Sequence, residues 1–227
     1  MKANQGDAKV HQWIFDIRSR RFFLLVLIFV FVTLLVYAKV TEPIDNSIET
    51  RAQSIGGNYF LDYLMFIFSE IGDIRYMLIF CIILLIIKKT RRLALVLILS
   101  VLVGTMISAY LKLVLDRERP DIKFLGTHFP LTPEPDTSIF GKGSYPSGHA
   151  TRAAAFAFVL GFALSGRFPR GCYLLWIFPA VVSTSRVFIL EHFPMDVIGG
   201  TILGIIIANV VSKKLKLHLI FENQKPS

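Results

Sequence analysis

The run "FFLLVLIFVFVTLLVYAKV", Phe22 to Val40, holds no charge before Lys39 and leaves the chain few options. A helix of about 20 apolar residues crosses roughly 30 Å of hydrocarbon, and inside a bilayer only a helix or a closed barrel satisfies its own backbone. Further apolar segments follow at about Ile74–Ile87, Leu93–Leu115, Gly148–Leu164, Cys172–Leu190 and Met195–Val211. Tyr59–Glu70 is only half apolar and reads as a shallow or re-entrant helix. With 54% hydrophobic residues and 20 Phe, the composition lies outside the usual soluble range. The expected fold class is all-α: a six-transmembrane helical bundle, one integral membrane domain over residues 1–227.

A basic leader, residues 1–21, precedes the first span. It mimics the start of a signal peptide, but the apolar run after it is too long and no small-x-small cleavage site follows. Trp13 suits headgroup depth, so the leader reads as a cytoplasmic interfacial anchor.

The net charge of +9 raises the possibility of nucleic acid, and its distribution answers it. With the N-terminus inside, alternate connections carry Lys2, Lys9, Arg18, Arg20, Arg21, Lys88, Lys89, Arg91, Arg92, Arg167, Arg170, Lys213, Lys214, Lys216 and Lys225, against only Asp7, Asp16 and Glu222. That is the positive-inside pattern. Both termini are therefore expected in the cytoplasm, with the membrane as partner and no nucleic acid. Cys81 and Cys172 lie in apolar spans, as small packing residues, and neither a disulfide framework nor a thiolate metal site has enough cysteines. Nothing in the sequence sets an oligomeric state.

Three connections then face outward: residues 41–73, with the possible shallow helix; the long loop 116–147; and "LEHFPMD". A loop of some 30 residues in a compact chain is usually functional. Gly200 and Gly204 give a small-xxx-small spacing, which close helix packing explains.

Polar groups cluster at this outer level. In "KLVLDRERP", Lys112 and Arg119 stand two helical turns apart and are expected on one side of the third span, with Pro120 ending the helix. Ionisable residues within a span are functional by default, although Lys112 is near enough to the end to snorkel. In "SYPSGHATR", Ser147, Gly148 and His149 offer donors at the positive end of the fourth span, an anion site or an ordinary cap. In "SRVFILEHFPMD", Pro194 is expected at the first helical position, leaving His192 outside and Asp196 in the first turn. That carboxylate can accept one imidazole proton and free the other nitrogen as a nucleophile, or simply complement the helix dipole. Cations, histidines and a helix N-terminus at one level suit a tetrahedral phosphate better than a metal.

Taken together, "KLVLDRERP", "PSGH" and "SRVFILEHFPMD" resemble the three-part motif of the type 2 phosphatidic acid phosphatase superfamily, which includes membrane lipid phosphatases and soluble vanadium haloperoxidases. The resemblance runs from Lys112 to Asp196 and implies a phosphatase core in the last four spans and no cofactor or metal. It implies that His192 attacks phosphorus, Asp196 orients it and His149 protonates the leaving oxygen, while Lys112, Arg119, Ser147, Gly148 and Arg186 hold the phosphoryl oxygens. Two departures stand out. Asp116 and Glu118 place negative charge beside Arg117 and Arg119. Arg152, one turn after His149, has no place in the motif and is expected either to pair with Asp116 or Glu191 or to reach a second phosphate.

The function expected is an extracytoplasmic-facing membrane phosphatase, at the plasma membrane, acting on a lipid phosphate or diphosphate: phosphatidate, phosphatidylglycerol phosphate, a polyprenyl diphosphate or a phosphorylated glycolipid. A lipid-to-lipid phosphotransferase would use the same site, and a non-catalytic anionic-lipid binder or transporter would keep the anion site without turnover.

Overall fold

The computed structural model describes residues 16–120, 143–165, 168 and 170–217. Most of the expected leader, Trp13 included, and residues 121–142 of the long loop lie outside the described residues. Among the described residues all regular structure is helical.

Helix α1, Arg20–Tyr37, opens where Ser19 accepts the Phe22 amide at 3.1 Å. It is apolar all round, and Phe23, Leu27 and Phe31 remain outward-facing, as expected of a helix solvated by lipid. The stretch 41–73, expected as a connection with one shallow helix, folds into two. Helix α2, Glu42–Ile55, begins with Pro43 and with Glu42 and Asp45 in its first turn, favourable at a positive helix end. Helix α3, Tyr59–Ile71, is capped by Asn58. Asp73 caps the apolar α4, Ile74–Ile86.

Helix α5, Arg91–Leu115, is the longest at 25 residues. Helix α6 covers Gly148–Ser165, and a 3₁₀ turn, Gly171–Trp176, runs directly into α7, Ile177–Phe188. Helix α8, Pro194–Lys214, completes the bundle. Four helical segments are long and apolar enough to cross a membrane: Arg20–Tyr37, Arg91–Leu115, Gly171–Phe188 and Pro194–Lys214. The chain is thus an integral membrane protein. The expected count of six is not reached on length and composition, because α4 has only 13 residues and α6 spends its first turns on His149, Thr151 and Arg152.

Helix α6 is the hub. Ala150, Ala153, Ala154, Ala155 and Val159 are fully buried as it packs against α5, α7 and α8. Small residues make this possible: a Cβ on Gly200 would lie 2.5 Å from the Ser147 carbonyl oxygen, and one on Gly204 would lie 2.2 Å from that of Thr151. The close packing expected from the glycine spacing is therefore real, and it joins the start of α8 to the start of α6. On the other side, Phe156 meets Phe80 and Phe178 edge-on, with ring centroids 5.4 and 6.5 Å away. Cys81 and Cys172 are both free thiols buried in the packing.

Candidate active site

The cationic side begins in the last turn of α5, at Lys112. The helix does not run on to Pro120: Asp116 takes a left-handed conformation (φ 41°) and ends it, so Arg119 lies beyond the helix. Two-turn spacing is therefore not what sets Arg119 near Lys112. The returning chain makes the junction, since Ser144 donates its amide to the Arg117 carbonyl at 2.7 Å, and a Cβ on Gly143 would sit 2.7 Å from the Lys112 carbonyl oxygen. Arg119 donates through Nη1 to Glu191, and Arg186 reaches the same Glu191 Oε2 at 3.2 Å. The other arm of Arg186 donates to Ser69 Oγ at 2.7 Å. Negative charge beside the arginines thus comes from Glu191, while Asp116 and Glu118 are exposed.

At the head of α6, Ser147 is buried and its Oγ accepts the Ala150 amide at 3.4 Å, a helix cap. Its own amide donates to the Asp196 carbonyl at 3.0 Å, which pins the start of α6 to α8. Gly148 is open except toward Arg152, whose Nη1 would be 3.2 Å from an added Cβ. His149 Nε2 stands 3.8 Å from Asp73 Oδ2. Burial works to raise Asp73, but the hydrogen bonds and charge of Arg75 outweigh it and hold the carboxyl below its ordinary range. Arg152 pairs with neither Asp116 nor Glu191: its Nη2 donates to the Gly72 carbonyl at 3.4 Å, and its Nε, like that of Arg186, is buried with no hydrogen-bond partner among the described residues.

Between α7 and α8 the chain turns through Leu190 in a left-handed conformation (φ 58°), and the His192 amide bonds back to the Arg186 carbonyl at 3.3 Å. Pro194 occupies the first helical position of α8, with His192 outside the helix and Asp196 in its first turn. His192 is only 2% exposed. Its Nδ1 faces Asp196 Oδ2 at 3.6 Å and Ser144 Oγ at 3.5 Å, leaving Nε2 on the far side of the ring. Ser144 also donates to Asp196 Oδ2, which accepts the Phe193 amide at 2.8 Å. Asp196 Oδ1 takes Arg117 Nη1 at 2.6 Å. Burial first, and then the positive charge of Lys112, Arg186 and Arg119, push the His192 imidazole well below its ordinary 6.5.

Lys112, Arg119, His149, Arg152, Arg186, His192 and Asp196 all lie within electrostatic reach of one another's cluster, with Ser147 and Gly148 at its helical edge. Tyr145 closes the floor. It is fully buried beside Gly199, bonded to Thr33 Oγ1 of α1 at 2.8 Å, and its phenol is pushed up to about 12 by burial. Sequence reasoning passed over Asp45, Ser69, Asp73 and Ser144, left Arg117 without a role, and considered Glu191 only as a partner for Arg152, whereas it pairs with Arg119 and Arg186. Asp45, Ser69 and Asp73 come from 41–73, where the helix bearing Ser69 was expected but the more polar α2 was not. The signal for α2 was its Ile44, Ile48, Ala52 and Ile55 spacing, and for Ser144 its place next to the histidine motif. Among the described residues, no group of three His, Cys, Asp or Glu side chains is arranged to hold a metal.

Comparison with known proteins places the chain in a family. The chain is 31% identical over 191 residues to an undecaprenyl-diphosphatase of Sulfolobus acidocaldarius, covering 82% of this chain and 87% of that one. It is 36% identical over 150 residues to glucose-6-phosphatase catalytic subunit 1 of Haplochromis nubilus, 55% of this chain but only 41% of the relative. Its fold matches the crystal structure of a transmembrane PAP2 type phosphatidylglycerolphosphate phosphatase from Bacillus subtilis with a TM-score of 0.68 at 24% identity, covering 88% of this chain and 96% of that one. With residues 92–218 also matching the family's own pattern, a stretch that takes in every motif residue from Lys112 to Asp196, the chain belongs to the PAP2 superfamily.

Proposed function

We propose that this protein is a membrane lipid phosphatase that removes the terminal phosphate of a lipid phosphate or diphosphate presented at the extracytoplasmic face of the plasma membrane. The observation that carries this reading is the gathering of Lys112, Arg119, Arg152 and Arg186 around two histidines at the N-terminus of α6, with Glu191 shared by Arg119 and Arg186. A dianionic phosphoryl group is the ligand whose charge and tetrahedral oxygens such a set matches.

In the proposed reaction His192 Nε2 attacks phosphorus. A P–N bond forms as the P–O bond to the lipid breaks, and His149 gives its proton to the departing oxygen. Water then attacks the phosphohistidine, giving a proton to His149, and the P–N bond breaks to release inorganic phosphate and neutral His192. Lys112, Arg119 and Arg186, with the Gly148 backbone and the Ser147 hydroxyl, are assigned the equatorial oxygens, where preorganised positive charge lowers the barrier most. This chemistry needs no cofactor, and phosphate release is expected to persist in chelator.

A lipid substrate is supported by an apolar groove of about 400 Å³ between α2, α7 and α8. Ile48, Ala52, Val187, Phe188, Pro194 and Val197 line it, and the last two flank the turn that bears Asp196. This groove is assigned the hydrocarbon chain. Arg152, lying against Gly148 with its Nε unpartnered among the described residues, favours a diphosphate, as does the name of the Sulfolobus relative.

A panel of phosphatidate, phosphatidylglycerol phosphate and a polyprenyl diphosphate, assayed in detergent with chelator, tests the assignment. Phosphate release should vanish in His192→Ala, and diphosphate preference should fall in Arg152→Ala. Undiminished release by His192→Ala would remove the mechanism.

A further inference from the structure

The reaction above needs the His192 ring held in place, the part the family resemblance assigns to Asp196, but it does not use the groups that grip that carboxylate's other oxygen. Arg117 lies between two carboxylates: its Nη1 is 2.6 Å from Asp196 Oδ1 and its Nη2 is 2.6 Å from Asp45 Oδ2. Both carboxylates are fully buried, and the Arg117 guanidinium stacks on the Phe193 ring at 4.4 Å from its centroid. Asp45 is fixed in turn, because its Oδ1 accepts the Met195 amide at 3.1 Å. The result is an unbroken path from α2, through Arg117, to the carboxylate beside the His192 ring.

Each contact has a physical consequence. A guanidinium presents a rigid fork, so two carboxylates on its two arms fix its plane and theirs together. Arg117 follows the left-handed Asp116 on non-helical chain, and without Asp45 it would be held by one arm and one ring. With Arg117 on Oδ1, Asp196 Oδ2 is left to Ser144, the Phe193 amide and the imidazole.

We propose that Arg117 and Asp45 act as a positioning pair for the nucleophile: Asp45 on the outer helix α2 fixes the Arg117 fork, which fixes Asp196 and, through it, the ring of His192. The inference rests on the reading of His192 as the attacking group.

The test uses the full chain in detergent, with dioctanoyl phosphatidate or farnesyl diphosphate, whichever releases phosphate faster. The variants are Asp45→Asn, Arg117→Gln, Arg117→Lys, the Asp45→Asn/Arg117→Gln double and His192→Ala. In Asp45→Asn kcat should fall about tenfold, and in Arg117→Gln about a hundredfold, with KM within about twofold in both. The double should be no slower than Arg117→Gln alone, as expected of groups acting in series.

The pH profile supplies a signature that a merely structural role would not. Lys112, Arg119, Arg186 and His149 bear on the ring from the positive side and Asp196 faces it from the negative, while Glu191 is engaged by Arg119 and Arg186. Removing the positive Arg117 should move the acid limb to higher pH, whereas removing the negative Asp45 should move it lower. Arg117→Lys keeps the charge but not the fork, so it should retain the wild-type limb and recover only part of kcat.

Wild-type kcat in Asp45→Asn, additive losses in the double, or limbs that move in the same direction would overturn the pair. Should Arg117→Gln fail to give monodisperse protein, Asp45→Asn and Arg117→Lys decide by the same measurements. Wild-type release by His192→Ala overturns the nucleophile and this inference with it. An inactive His192→Ala beside unimpaired Asp45→Asn and Arg117→Lys overturns the positioning pair alone.

Discussion

His192 shows how much of a residue's chemistry is set by what surrounds it. Attack requires the neutral ring, and burial together with Lys112, Arg186 and Arg119 holds its pKa well below 6.5. The neutral form therefore persists as pH falls through the ordinary histidine range and is lost only below it. The acid limb of kcat/KM, which reports the loss of neutral His192, should lie well under 6.5. An acid limb centred at or above the ordinary histidine value would contradict the assignment. Glu191 is the second instructive residue. It occupies the guanidinium groups of Arg119 and Arg186, which are the proposed partners of phosphate, and so competes with the ligand. Neutralising it in Glu191→Gln should tighten competitive inhibition by inorganic phosphate on the order of tenfold, the scale of one charge-assisted hydrogen bond. An inhibition constant that stays the same or rises would show Glu191 to be a support for the arginines instead.

At the scale of elements, the contact of α6 with α8 has almost no slack. A methyl group at Gly204 would meet the Thr151 carbonyl oxygen at 2.2 Å, backbone against backbone, with no flexible side chain to yield. Gly204→Ala should cost about 1–3 kcal/mol of stability, the range for overpacking a tight interface, and should lower the midpoint of thermal unfolding in detergent. The groove on the other side of α8 invites the opposite experiment. Ala52→Trp would fill it from α2, raising KM for a long-chain lipid phosphate several-fold while leaving KM for a short-chain analogue within about twofold. Equal effects on both substrates would place the hydrocarbon chain elsewhere. Helix α2 also shows where sequence reading fell short. Its outward composition is that of a loop, and the residue that matters most, Asp45, faces inward to a partner 72 positions away. No local pattern reveals such a pairing. By contrast, Pro194 at the head of α8 was legible because proline at a first helical position answers to local backbone geometry alone.

For the molecule as a whole, the apolar runs announced an all-helical membrane protein, and the motif residues announced the family. Lys112 and Arg119 mark the boundary of that legibility. They belong together, but through a chain reversal at Asp116 and Ser144 and not through the helical phase that their spacing suggested. The stretch 92–218 that matches the family contains all the motif residues, yet the site also draws Asp45, Ser69 and Asp73 from the preceding helices, and Tyr145 is bonded to Thr33. That last hydroxyl contact joins the most lipid-exposed helix to the loop carrying Ser144 and Ser147. Helices change tilt to match the hydrocarbon width of the bilayer around them, and any such leaning of α1 pulls on the segment beneath the nucleophile. The turnover rate should accordingly vary with acyl-chain length when the protein is reconstituted in vesicles of graded thickness, and Thr33→Val should flatten that dependence.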